Sequence, residues 1–176
     1  MEAQKLTKNT PLKEVLNLTN ACKCSACTVG CRHGSGAFTD DEVKKLAEHL
    51  KIDIDVLKKE FLEEVERFST KKYRPKILRK NKPYGKCIFF DEALGCKIHE
   101  AKPLECKIAM GCKDYGEDLM IWFMLNHFVN ANDAESIRQY ATYLKSGGKT
   151  IEGGKLEELV PDKEKLRKIL SYEILK

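Results

Sequence analysis

At 176 residues, 42% hydrophobic and 34% charged, the chain is long enough to bury a core and short enough that a bound metal adds materially to stability. Its most apolar run, 119–125, is broken by Asn126 and His127 and falls far below the roughly 20 residues that span a bilayer, which excludes a transmembrane helix. The start, Met1-Glu2-Ala3-Gln4-Lys5, has neither the basic opening nor the apolar stretch of a secretory signal, so the expectation is one cytoplasmic domain over 1–176 that makes no membrane contact. The net charge of +5 is local: eight of the 32 Lys and Arg fall between Lys71 and Lys86 with no acidic residue among them, leaving 24 basic against 27 acidic elsewhere.

In chain order, Thr10-Pro11 sets a cap residue before a proline and predicts a short helix to about Asn17. Thr39-Asp-Asp-Glu42 is a capping box, followed by Val43, Leu46, Ala47 and Leu50 on one helical face. Asp53 caps a second helix, which Leu57, Phe61, Leu62, Val65 and Phe68 carry on at helical period. Cys87-Ile-Phe-Phe90 and Cys96-Lys-Ile-His99 flank a turn ending in Gly95 and predict a small β-hairpin. Beyond Cys112 the pattern is helical: Leu119–Val129, then a segment with Ile137, Tyr140, Ala141 and Leu144, then Pro161 to the end, with a glycine-bounded loop at 146–154. The fold class is mainly α with a small β-hairpin (α+β), a metal-stabilised cysteine core over 20–113 and a helical extension over 114–176.

The eight cysteines fall into two sets, Cys22, Cys24, Cys27 and Cys31 within ten residues, and Cys87, Cys96, Cys106 and Cys112 further on. In a reducing compartment such spacings mark thiolate metal ligands in preference to disulfides. Cys-x-x-Cys is the shortest common spacing at which two thiolates meet one metal, and Ser25, Ala26 and Gly30 permit tight wrapping. Thiolates suit both tetrahedral zinc and iron-sulfur clusters. Two iron-sulfur signatures are absent: Arg32 follows Cys24-x2-Cys27-x3-Cys31 where the ferredoxin run has proline, and the order of spacings is the reverse of the radical S-adenosylmethionine motif.

The order of the compact cysteine cluster, the Thr39 helix, Cys87-Ile-Phe-Phe-Asp-Glu-Ala-Leu-Gly-Cys96-Lys-Ile-His and Lys102-Pro103-Leu104-Glu105-Cys106 resembles the YkgJ-type CxxCxxCC family of zinc- or iron-chelating domains over about 20–113. It departs from that family in lacking the adjacent Cys-Cys pair and in having Lys102 where an Arg-Pro pair is usual. The resemblance implies metal binding, and a relative that is similar in the cysteine region, the flagellin lysine methylase, implies a [4Fe-4S] cluster.

Lys71–Lys86 interleaves basic residues with Tyr73 and Tyr84, a footprint for RNA or an acidic protein, although a solvated connecting loop is the plainer reading and compensation of thiolate charge a third. His33 and His99 are read as supporting groups near the cysteines, and His49 and His127 as structural. Gly148-Lys149-Thr150 is not a phosphate loop, because Tyr143 stands at the first glycine position. The leading expectation is an iron-sulfur protein that serves electron transfer, cluster handling or an unidentified partner. A zinc-stabilised binding module and a small protein-modifying enzyme are the alternatives. In the leading case Cys24 or Cys27 shares a centre with a cysteine of the 87–112 set.

Overall fold

The computed structural model describes residues 5–19, 25–109 and 116–175; of 25–27 it describes the backbone alone. Helix α1 (Leu12–Leu18) follows Pro11, whose carbonyl accepts the Glu14 and Val15 N–H groups. Helix α2 (Ser25–His33) carries Cys27 and Cys31 of the first cysteine cluster. Helix α3 (Asp40–Leu50) starts where the Thr39 N–H donates to Glu42 Oε2 at 2.9 Å, buries Val43, Leu46 and Ala47, and stops at Lys51 in the left-handed region (φ 55°). Helix α4 (Ile54–Phe61) is capped by the Asp53 carboxylate, which accepts from the Asp55 and Val56 amides.

The predicted continuation of that helix to Phe68 does not occur. Leu62–Arg67 is strand β1 and pairs with β2 (Thr70–Pro75) across the two-residue connection Phe68-Ser69, at φ 50° and 59°. Two successive left-handed residues give a turn whose twist matches its flanking strands. Leu62 and Val65 mimic a helical face, but Glu64 and Glu66 are exposed while residues 63, 65 and 67 are half-buried, a period of two. Strand pairing overrides the local periodicity here.

Strand β3 (Ile77–Leu78) pairs antiparallel with β4 (Lys86–Cys87), Ile77 opposite Cys87, and β5 (Phe90–Asp91) pairs with β6 (Gly95–Cys96), Phe90 opposite Cys96. The hairpin expected at 87–99 is thus two short ladders, with Cys87 pairing back to Ile77 and only 90–96 closing on itself. Asp91 Oδ1 nucleates that closure by accepting the Ala93 and Leu94 amides at 2.8 and 3.0 Å, and Gly95 takes the positive φ of 80° that the turn requires. Helices α5 (Leu104–Ile108), α6 (Gly116–His127), α7 (Ala134–Lys145), α8 (Leu156–Leu159) and α9 (Lys163–Leu170) complete a fold that is mainly α with small β-hairpins. Among the described residues no helix is long and apolar enough to cross a membrane.

The chain divides into two compact units, one of Leu16–Val65 with Lys72–Gly116, the other of Met1–Val15, Glu66–Lys71 and Glu117–Lys176. In the first, Phe38, Val43, Leu46, Ala47, Leu57, Leu62, Phe89, Phe90 and Ile98 form a core that includes Cys87 and against which Cys31 and Cys96 pack. In the second, Ala134, Ile137, Val160, Leu166 and Ile169 form a core, and the buried Tyr140 hydroxyl donates to the Gly154 carbonyl at 2.8 Å. The Trp122 indole N–H of this unit donates to the Thr10 carbonyl at 3.0 Å.

Candidate metal centre

Four cysteines are described with their side chains, and each comes from a different element: Cys31 from α2, Cys87 from β4, Cys96 from β6 and Cys106 from α5. All four are free thiols, Cys87 buried and the others half-buried. The apolar faces of α3 and the β5–β6 hairpin gather three of them, because Phe89, Phe90 and Ile98 are buried in the core that Cys31, Cys87 and Cys96 line. Cys31 belongs to the first sequence cluster, yet here it stands with three members of the second. Cys22, Cys24 and Cys112 lie outside the described residues. For Cys27 only its place in α2 is described, four residues before Cys31.

A strap of chain, 35–39, fixes the Cys106 thiol. The Ser35 hydroxyl donates to the Pro75 carbonyl at 2.6 Å, the Gly36 N–H to Cys106 Sγ at 3.2 Å, and the Ala37 N–H to Glu105 Oε2 at 2.6 Å. The Phe38 N–H reaches the Tyr73 carbonyl at 2.8 Å, and the Thr39 N–H ends on Glu42. Four successive amides are therefore committed to four different partners. Glycine is required at 36 by proximity: a Cβ there would stand 2.9 Å from Cys106 N, Cys106 Sγ and Glu105 Cβ. Glu42 Oε2 also accepts the Leu104 N–H at 3.0 Å, and its Oε1 meets Lys107 Nζ at 3.2 Å, which ties the start of α5 to the start of α3.

Burial pushes all four thiols up from their ordinary value, Cys87 to about 11. Proximity adds to this: Cys96 raises Cys31, Cys31 and Cys96 raise Cys87, and Cys87, Cys31 and Glu105 raise Cys106. These effects mark the four sulfurs as mutual electrostatic neighbours. Opposing them are backbone N–H groups aimed at sulfur, from Gly36 to Cys106, from Phe89 and Phe90 to Cys87 and from Ile98 to Cys96, together with the cations Lys102 and Arg32 beside Cys31. Neighbouring thiols that carry peptide donors have the chemistry that could hold a metal as thiolates, since a metal's positive charge would offset the repulsion that keeps them protonated. Among the described residues no three His, Cys, Asp or Glu side chains converge on one ion-sized point.

Sequence reasoning did not single out Gly36 or Glu105, and it marked Glu42 only as a helix cap, without its bonds to Leu104 and Lys107. The run Gly34-Ser35-Gly36 after the first cluster signals close approach of backbone, whereas a buried carboxylate in Leu104-Glu105-Cys106 has no sequence signal. His33 is exposed and stands edge-on to Tyr84, and the His99 N–H donates to the Cys96 carbonyl within a turn. His49 is exposed on α3, and His127 packs against Phe123 and Trp122.

The basic segment is a solvated loop only over 79–85, where residues 80–84 are exposed. It contributes β2, β3 and β4, and several of its cations are engaged: Lys72 with Asp40 at 2.7 Å, Arg74 and Arg79 with Glu63, and Lys76 Nζ with the Lys59 carbonyl at 2.6 Å. Lys71, Lys80 and Lys82 are exposed.

A family model described as "CxxCxxCC: Putative zinc- or iron-chelating domain" matches residues 23–134, which takes in every cysteine named here except Cys22. No curated protein and no solved structure matches the chain. The chain belongs to the CxxCxxCC family and carries a metal-chelating domain.

Proposed function

We propose that this member of the CxxCxxCC family is an iron-sulfur protein in which Cys31, Cys87, Cys96 and Cys106 ligate a [4Fe-4S] cluster. The observation that carries the reading is that four free thiols come from four elements, Cys31, Cys87 and Cys96 at one core and Cys106 near enough to Cys31 and Cys87 for each to raise its thiol beyond the effect of burial. A tetrahedral zinc site has Zn–S bonds of about 2.3 Å and draws its sulfurs to within about 4 Å of one another. A cluster holds its ligands at the corners of a larger body and so accepts thiols drawn from separate elements. Peptide N–H groups on three of the four sulfurs support the same reading, since such donors tune clusters.

When bound, the cluster supplies one-electron chemistry. The chain's own residues would hold it in a partly dry pocket, donate amides to its sulfur ligands and set Lys102 and Arg32 beside Cys31 to balance its charge. No other reactive constellation stands out in the sequence, so the function we assign is electron transfer, cluster handling or service to a partner enzyme. The experiment is anaerobic purification followed by iron, sulfide and zinc analysis with visible and electron paramagnetic resonance spectra. Brown protein with iron and sulfide in equal amounts is the expected result; colourless protein with stoichiometric zinc would replace the cluster with the zinc-stabilised module.

A further inference from the structure

We infer that Glu105 is a positioning residue of this centre, whose buried carboxylate holds the 35–38 strap so that the Gly36 N–H stays on the Cys106 sulfur. The inference rests on the reading of Cys106 as a cluster ligand. Glu105 is 3% exposed, and a carboxylate that deep persists only where its oxygens are bonded. One of them accepts the Ala37 N–H at 2.6 Å, the short distance of a charge-assisted bond. The preceding amide, Gly36, reaches Cys106 Sγ at 3.2 Å. Two adjacent amides thus meet two adjacent side chains of α5, and the shorter bond fixes the position of the longer one.

The arrangement is clamped at its far end as well. Glu42 takes both the Thr39 N–H that closes the strap and the Leu104 N–H that opens α5, so strap and helix are referred to one carboxylate. Space is closed around Gly36, where a Cβ would meet Cys106 Sγ and Glu105 Cβ at 2.9 Å. A like charge next to a thiolate ligand is unfavourable electrostatically. Its place beside the ligand is explained by what it does for the strap: without an acceptor at Oε2 the Ala37 amide is left unsatisfied in a buried setting. A donor on a ligand sulfur favours the more negative, reduced state of the centre, so the Gly36 N–H raises the reduction potential and Glu105 secures that effect.

The test compares Glu105→Gln with Glu105→Leu. Both remove the charge, and only Gln keeps an acceptor for Ala37. The readouts are the reduction potential of the anaerobically purified protein and amide hydrogen exchange over 35–38. The expected result is that Glu105→Leu exchanges faster than Glu105→Gln and has the more negative potential, while Glu105→Gln keeps wild-type exchange. Equal potentials and equal exchange in the two variants would overturn the inference. If Glu105→Leu does not accumulate folded, Gly36→Ala serves instead: its Cβ pushes the amide off sulfur with Glu105 intact, the potential is expected to fall, and an unchanged potential overturns the inference. Wild-type protein carrying zinc and no iron overturns the cluster reading itself, and the exchange comparison then still decides whether Glu105 holds the strap.

Discussion

Among the described residues, Glu63 on β1 is the hub of the most connected ion cluster in the cysteine unit, and Glu63→Gln tests its weight. Its Oε1 accepts from Arg74 Nε at 2.8 Å and Arg79 Nη2 at 2.7 Å, and its Oε2 from Arg79 Nη1 at 2.7 Å. Glutamine keeps one of the two oxygens and turns an N–H pair toward a guanidinium. An exposed ion pair contributes about 0–1 kcal/mol and loss of one partner of a buried pair costs about 3–5 kcal/mol. The Glu63 and Arg74 side chains are 20% exposed and Arg79 38%, which places the cost between these limits, at about 1–2 kcal/mol after solvent screening. For a chain of this length that corresponds to about 2–8 °C in Tm. Hydrogen bonding from Arg79, reinforced by the charge of Arg74, holds the Glu63 carboxyl below its ordinary 4.5. A depressed carboxyl stabilises the fold fully above its unfolded value and loses that contribution as pH falls through its folded value. Denaturation midpoints of the wild type and Glu63→Gln should therefore differ at neutral pH and converge progressively below pH 4.5. Equal midpoints at pH 7, or a gap that persists undiminished in acid, would refute the reasoning.

In the helical unit, Arg138 is 8% exposed and donates to the carbonyls of Ile169, Ile174 and Leu175, at 3.1, 2.7 and 3.1 Å. Arg138→Met should cost about 2–4 kcal/mol, and hydrogen exchange should rise across 169–175 while 87–106 is unaffected. Ser69 sits at φ 59° with its amide on Gln139 Oε1 at 2.9 Å, so Ser69→Gly should relieve left-handed strain and stabilise by about 0.5–1 kcal/mol in a urea titration. Asp53→Ala should remove the cap of α4 and cost about 1 kcal/mol, read by the same titration.

The parts of the fold written in local chemistry were legible. Thr39 with Glu42 and Asp53 with its following amides mark helix starts by side chains that bond within three residues, and Asp91 with Gly95 marks a turn in the same way. What was not legible depends on partners far along the chain. Leu62–Arg67 reads as helix because its apolar spacing does, while its acceptors for Arg74 and Arg79 and its turn at Phe68-Ser69, built without the usual Asn-Gly, carry no local sign. The cysteines divide four and four in sequence, yet Cys31 joins Cys87, Cys96 and Cys106 because α2 and β4 pack side by side. The basic segment reads as one charged run, but its charge is distributed among Asp40 and Glu63, which the linear sequence keeps 32 residues from Lys72 and 11 from Arg74.

The central claim, that Cys31 shares one iron-sulfur centre with Cys87, Cys96 and Cys106, is tested most directly by iron and sulfide content in Cys31→Ser, Cys106→Ser and the double variant, purified anaerobically. A single coupled centre predicts that each single variant loses most of the iron and sulfide and that the double variant loses little more. Independent losses that add, or wild-type iron content in Cys31→Ser, would contradict it.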